Sequence, residues 1–157
     1  MALFPDYENA LRVSMLDAAD PLASYSKHGF ELDGQHWLSA EHYVQGMQFE
    51  DTALQAKVAA AEHPDLARRV ARKHRRATRQ DWNKLQVVYM TRAVYIKART
   101  HSEVAQALLQ TGQRPIVETS QYDYFWGCGR DTRGANHYGR VLMDVRGKLR
   151  DELSDKT

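Results

Sequence analysis

The stretch from Thr119 to Gly139, TSQYDYFWGCGRDTRGANHYG, constrains this chain more than any other. It lies between an apolar strand-like run and an amphipathic helix. A loop this long is uncommon inside a compact domain unless it has a function. Its glycines allow a backbone with φ > 0, or the close approach of a ligand. Trp126 and the tyrosines offer flat faces, Asp123 and Asp131 offer carboxylates, and Asn136 offers a two-sided amide. The next helix begins near His137, so its free N–H groups face the loop and suit an anion. Length and composition fit a ligand site and a well-packed loop around a buried Trp equally well.

The remainder reads as one mainly helical domain spanning residues 1–157, with Ser154 to Thr157 as a frayed tail. At 43% hydrophobic and 27% charged residues the chain suits a soluble globule. A net charge of +2 makes no global case for nucleic acid or an anionic membrane. The single cysteine, Cys128, excludes an intrachain disulfide framework and suits a reducing cytoplasm. The N-terminus does not read as a signal peptide, and no run is long enough to span a membrane.

Pro5 to Asp20 is expected as a short helix with Leu11, Met15 and Leu16 on one side. Phe30 and Leu32, then Asp33-Gly34, then Trp37 predict a hairpin. Ser39 is expected to cap a helix to about Phe49 with Ala40, Tyr43, Val44 and Met47 buried. Glu41, Gln45 and Gln48 form the adjacent polar stripe. Glu41 has two readings: a carboxylate complementing the helix dipole, or a group held rigidly beside a cleft for chemistry. Thr52 is expected to cap the next helix, with Leu54 and Val58 inward. Pro64 starts another, burying Leu66 and Val70 with Ala67 and Ala71 beside them, and with Arg68, Arg69, Arg72, Lys73, Arg75 and Arg76 on its other faces. Such a basic run is most simply a solvated face, with a phosphate or nucleic-acid surface as the sharper reading.

Asp81 is expected to cap the longest helix, with Leu85, Val88, Tyr89, Ala93 and Ile96 as its core stripe. Trp82 sits at its mouth, as a hydrophobic lid or as a stacking wall. Ser102 is expected to cap a helix that Gly112 ends, and PIVET reads as a short buried strand. The last helix should bury Val141, Leu142, Val145 and Leu149. Gly147 costs it about 1 kcal/mol relative to Ala; close helix packing is the one reason the sequence suggests.

Several chemistries are set aside. Gly127 and Gly129 lack the third glycine and βαβ setting of a dinucleotide fingerprint. The spacing of His28, His36, His42, His137 and Cys128 fits no zinc pattern. No metal and no cofactor is expected.

Four segments in order carry a family resemblance: GFELDGQHWLSAEHYVQGMQF; RQDW with VVYMTRAVYIK; LLQTGQRPIVETS; and YDYFWGCGRDTRGANHYGRVLMDVR. Together they resemble the NADAR (YbiA-like) N-glycosidases from about Gly29 to Arg150, with residues 1–23 matching poorly. The resemblance implies a compact single-domain YbiA-like helical fold with a small β element. It implies hydrolysis of an N-glycosidic bond to a ribose phosphate, in particular of ribosylaminopyrimidine or ribosylaminouracil phosphates of riboflavin biosynthesis. It also links the chain to ADP-ribose chemistry, including removal of ADP-ribose from guanine in nucleic acid. Glu41, Trp82, Asp123, Trp126 and Asn136 occupy the family's motif positions. Many members carry a lysine where this chain has Gln48; Lys84 or Lys97 would have to substitute, or the substrate would differ.

Residue chemistry agrees with this assignment. Breaking an N-glycosidic bond builds positive charge on ribose, which a fixed carboxylate stabilises. Glu41 and then Asp123 are the expected catalytic groups. Trp82, Trp126, Gly127, Gly129, Asn136, Arg79 and Gln45 are expected to bind the substrate, with Arg79, the glycine loop and the last helix's N-terminus holding phosphate. A cytoplasmic N-glycosidase is expected; a non-catalytic nucleotide or nucleic-acid binder using residues Arg68 to Arg79 is the alternative from another class.

Overall fold

Asp33 and Gly34 both adopt positive φ, 54° and 75°, in the computed structural model, which describes residues 8–155. That pair is the signature of a two-residue turn matched to strand twist. It joins β2 (Phe30–Leu32) to β3 (Gln35–Trp37) as an antiparallel hairpin, with Phe30 opposite Trp37. Both rings are buried, so the expected hairpin is a core element. Its turn is tied down as well: Asp33 accepts from the Tyr43 hydroxyl at 2.6 Å and pairs with Arg92 at 3.0 Å.

The helices follow in chain order: α1 (Ala40–Met47), α2 (Thr52–Ala59), α3 (Pro64–Lys73), α4 (Trp82–Thr100), α5 (Ser102–Leu109) and α6 (His137–Asp155). A mainly α architecture with two small sheets is therefore observed, as the sequence predicts. α4 lies centrally, packed on α1, α5 and α6. Among the described residues no helix is long and apolar enough to cross a membrane.

Several expectations change. Within the described part of Pro5 to Asp20 there is no helix; Leu11–Val13 forms strand β1 instead. It runs parallel to β4 (Ile116–Glu118), with Val13 opposite Glu118. Downstream, Asp17 and Asp20 accept backbone N–H groups two residues on, at 3.1 and 2.9 Å. Such local side-chain bonds compete with helix formation. Asp51, not Thr52, caps α2 through Ala53 N–H at 2.8 Å. His101 takes the cap position of α5, leaving Ser102 as its first residue.

On α3 only the smaller members of the expected inward face are fully buried, and on α4 the buried stripe is shifted. α3 buries Ala67 and Ala71, with Leu66 and Val70 only half-buried, because small residues let it approach α1 closely. α4 buries Met90, Ala93, Val94, Lys97 and Ala98, and leaves Val88 exposed. α6 keeps its expected inward face of Val141, Leu142, Val145 and Leu149, and runs on through Asp155 into the expected tail.

Close packing does not explain Gly147, because a Cβ built there would meet no atom within 4 Å. Gly147→Ala should therefore stabilise the fold by about 0.5–1 kcal/mol, through helix propensity and a less flexible unfolded chain. Thermal unfolding should show a rise of about 2–4 °C per kcal/mol in a domain of this size; an unchanged or lower melting point would count against this account of α6.

Candidate active site

Helix α1 starts where the Ser39 Oγ accepts the His42 N–H at 3.1 Å, a side-chain cap for a free backbone donor. That start places Glu41, His42 and Tyr43 in the first turn with three different fates. His42 is spent on structure: its Nδ1 lies 2.7 Å from Ser39 Oγ and its Nε2 2.9 Å from the Ala61 carbonyl. Burial lowers its pKa, so the neutral ring suits this pair of bonds. Tyr43 holds the hairpin turn. Glu41 is the one of the three that lines the cavity between α1 and α3, whereas His42 borders a separate hollow beside the hairpin.

The Glu41 side chain is only 2% exposed, and every partner donates to it. Its Oε1 accepts from Gln45 Nε2 at 3.0 Å and Arg68 Nε at 2.8 Å; its Oε2 accepts from Ser24 Oγ at 3.0 Å. A buried carboxylate needs such pairing, because burial without it is costly. Arg68 answers in kind. Burial works against its charge, but the Glu41 charge and hydrogen bond outweigh that and raise its pKa. Tyr25 lies under the guanidinium, with its ring centroid 5.1 Å away, and donates its hydroxyl to Asp65 at 2.8 Å.

The cavity beside this pair is about 310 Å³, a volume suited to a small molecule. Glu41, Gln45 and Gln48 of α1 form one side. Arg68, Ala71 and Arg72 of α3, with Arg75 just beyond it, form the second. Asp123 and Trp126 form the third. Arg72 and Arg75 make no side-chain hydrogen bond or ion pair among the described residues. Sequence reasoning placed these arginines on a solvated face. Their spacing of four and then three residues from Arg68 puts them on one stripe, but nothing local shows that the stripe borders a hollow.

The long loop is shaped mainly by its own backbone. N–H groups of Ala135, Asn136, His137 and Tyr138 donate to the carbonyls of Tyr124, Gly127, Phe125 and Trp126, at 2.8 to 3.0 Å. The expected anion site at the mouth of α6 is thus occupied by the chain itself. Asn136, at φ 53°, spends its amide on β4: its Oδ1 accepts from Glu118 N at 2.8 Å and its Nδ2 donates to Ile116 O at 3.0 Å. Gly127 is required by close approach, since a Cβ there would collide with Glu118 and the Asp123 carbonyl. Gly129 borders a different hollow, near Arg12 and Cys128. These three residues, expected to bind substrate, instead shape the loop that carries Asp123 and Trp126. The Asp123 Oδ1 accepts from Phe125 N and Trp126 N, at 3.0 and 2.8 Å, which fixes both cavity residues together.

Two further expected substrate contacts also lie elsewhere. Trp82 packs on Tyr89 at 5.6 Å between ring centroids and does not line the cavity. Arg79 donates its Nε to Met47 O at 2.7 Å and Nη2 to Phe49 O at 3.3 Å, so it serves carbonyls at the end of α1. Glu41, Gln45, Asp123 and Trp126 are the predicted residues that the fold gathers. Among the described residues no group of three His, Cys, Asp or Glu side chains gathers as a metal set.

Fold and site together define a small helical domain with a carboxylate and arginines facing across one cleft. The chain belongs to the NADAR domain family, whose match spans residues 9–150 and so includes most of the N-terminal segment expected to fit poorly. It is 37% identical to an N-glycosidase of Nostoc punctiforme over 84% of this chain and 86% of that one. It is 38% identical to a riboflavin biosynthesis protein of Vibrio vulnificus over 83% of this chain, but only 35% of that longer protein. The solution structure of Escherichia coli YbiA superposes with a TM-score of 0.82 at 27% identity, covering 92% of this chain and 86% of that one.

Neither Lys84 nor Lys97 lines the cavity to replace a lysine at position 48. Gln48 itself faces it, accepting from Thr78 Oγ1 at 3.2 Å and donating to Gln45. Lys97 is 1% exposed, and its Nζ donates to the Ala23 carbonyl at 2.8 Å. Burial lowers its pKa to about 7, with Asp20 opposing the shift. An unfolded lysine keeps its proton to about pH 10.5, so over the window between about 7 and 10.5 the unfolded chain binds more protons. Stability should therefore rise with pH across that window. Denaturant unfolding at several pH values should show the rise in the native sequence and lose it in Lys97→Met; the same slope in both would exclude Lys97 as its source.

Proposed function

We propose that the protein is an N-glycosidase that hydrolyses the bond between a base or amine and a ribose phosphate. The substrates favoured are ribosylaminopyrimidine and ribosylaminouracil phosphates. The observation that carries this reading is the buried Glu41 carboxylate beside a cavity rimmed by Arg72 and Arg75. Its relatives named as an N-glycosidase and a riboflavin biosynthesis protein support the same chemistry.

Hydrolysis breaks the C1′–N bond, and its electron pair leaves with nitrogen. Positive charge then develops on C1′ and the ring oxygen. A carboxylate already fixed by three donors meets that charge without reorganising. Water adds to C1′, a proton passes to the departing amine, and the products are a free amine or base and ribose phosphate. Asp123, with its Oδ2 outside the loop's hydrogen bonds, is the second candidate to handle the water proton. Trp126 supplies a flat face for the leaving base. Arg72 and Arg75 supply the charge for a phosphate group.

A second reading is removal of ADP-ribose from guanine in nucleic acid. The basic face of α3 continues past the cavity through Arg69, Lys73 and Arg76, all exposed, where an attached strand could lie. Incubating the protein with ribosylaminouracil phosphate, and separately with an ADP-ribosylated guanine oligonucleotide, distinguishes the two by mass spectrometry of products. Release from neither would remove the glycosidase reading.

Two mutational outcomes follow. Glu41→Gln should lower kcat by at least about a hundredfold, in line with loss of a preorganised electrostatic group, and leave substrate dissociation constants within about threefold. Full turnover by that variant would exclude Glu41 from the chemistry. Arg72→Ala and Arg75→Ala should each raise KM about tenfold for the phosphorylated substrate, the scale of one charge-assisted contact, and leave the dephosphorylated compound unaffected. Equal effects on both compounds would place the phosphate elsewhere.

A further inference from the structure

We propose that Ser24 is a positioning residue for Glu41, and that the segment Leu22 to Ser26 is the rear support of the site. This rests on the role proposed for Glu41. The segment lies in the part of the chain to which the sequence assigns no function, and all five of its residues are buried.

The argument begins with one proton. The Ser24 hydroxyl lies 3.0 Å from Glu41 Oε2 and 3.2 Å from the Met15 carbonyl, and it has a single hydrogen to give. The Met15 carbonyl already accepts the Tyr25 N–H at 3.1 Å. A carboxylate is also the stronger acceptor. The hydrogen therefore goes to Glu41. Among the described residues, Ser24 is the one donor to Oε2, whereas Gln45 and Arg68 share Oε1. The backbone doubles the link, because Glu41 N donates to the Ser24 carbonyl at 3.1 Å. Head and stem of Glu41 are thus held by the same residue.

The support is itself fixed from both flanks. Tyr138 of α6 donates its hydroxyl to the Leu22 carbonyl at 2.6 Å, and Lys97 of α4 donates to the Ala23 carbonyl at 2.8 Å. Glu118 of β4, fully buried, accepts Met15 N at 2.8 Å and so anchors the start of the same excursion. Four backbone atoms around Ser24 are held independently of its hydroxyl. Removing that hydroxyl should therefore release one carboxylate oxygen without releasing the segment. A carboxylate free to turn about its terminal torsion loses the alignment that transition-state stabilisation needs.

The test uses the full-length protein with Ser24→Ala and Ser24→Cys, whose thiol is a weaker donor, and ribosylaminouracil phosphate as the probe. Ser24→Ala should lose about tenfold in kcat with KM within about twofold, as expected for one charge-assisted bond, and Ser24→Cys should fall between it and the native protein. The ¹³C resonance of the Glu41 side-chain carboxyl should shift in the same order, with far-ultraviolet circular dichroism unchanged. Native kcat in Ser24→Ala, or an unmoved carboxyl resonance, would overturn the proposal. If the native protein does not turn over the probe, the glycosidase reading fails for that substrate, and the carboxyl resonance still decides whether Ser24 positions Glu41.

Discussion

The Glu41–Arg68 ion pair is the contact on which the arrangement of this cleft depends. It joins α1 to α3 at 2.8 Å with the carboxylate almost wholly out of water. Such a pair is weak evidence for stability, because desolvation offsets much of the attraction, yet losing one partner costs about 3–5 kcal/mol. The chain limits the desolvation cost by surrounding both ions with further groups. Gln45 and Ser24 complete the carboxylate; the Tyr25 ring, its hydroxyl bound to Asp65, lies against the guanidinium. Because Arg68 is neutralised in place, Arg72 and Arg75 are left as the cleft's uncommitted positive charge. The paired arginine and the unpaired ones thus follow one another along α3 and the turn after it.

That arrangement draws on distant parts of the chain, which is why sequence order conveys it poorly. Ser24 comes from an N-terminal excursion, Glu41 from α1, Arg68 from α3 and Trp126 from the loop before α6. The excursion starts from the pairing of β1 with β4, and β4 holds its other edge through Asn136. Parallel pairing between residues about a hundred positions apart leaves no local trace, and Leu11-Arg12-Val13 is too short to declare itself. The helix expected there was the local solution; the strand is the tertiary one.

Features governed by near neighbours were legible. Asp33-Gly34 specified its turn, Ser39 its cap, and the last helix its buried face, since each depends on residues within a few positions. The predicted stripe of α4 was misplaced for a related reason. Apolar residues surround much of that helix, so periodicity alone cannot say which line faces the centre, and the buried lysine at position 97 breaks the usual signal. In the candidate site, Glu41, Asp123 and Trp126 were reachable because motif resemblance and residue chemistry coincided, and Gln45 because it follows Glu41 by one helical turn. Arg68 was not, because an arginine on a basic helix looks solvated until a buried partner is seen.

Trp82, Arg79 and Asn136 show the converse: residues that look chemical by type are here spent on architecture. The same holds for the glycines of the long loop. A loop whose carbonyls receive the first N–H groups of the following helix cannot also offer that helix end to a phosphate. What the loop gains is rigidity, and Asp123 and Trp126 share it through the turn that Asp123 closes. The cleft therefore has two helical walls and one wall of irregular but internally bonded backbone. A fixed carboxylate can favour a fleeting positive charge over a neutral substrate only if its surroundings do not relax around each equally. Under the role proposed for Glu41, the buried hydrogen bonds behind the cleft are as much part of its chemistry as the side chains that line it.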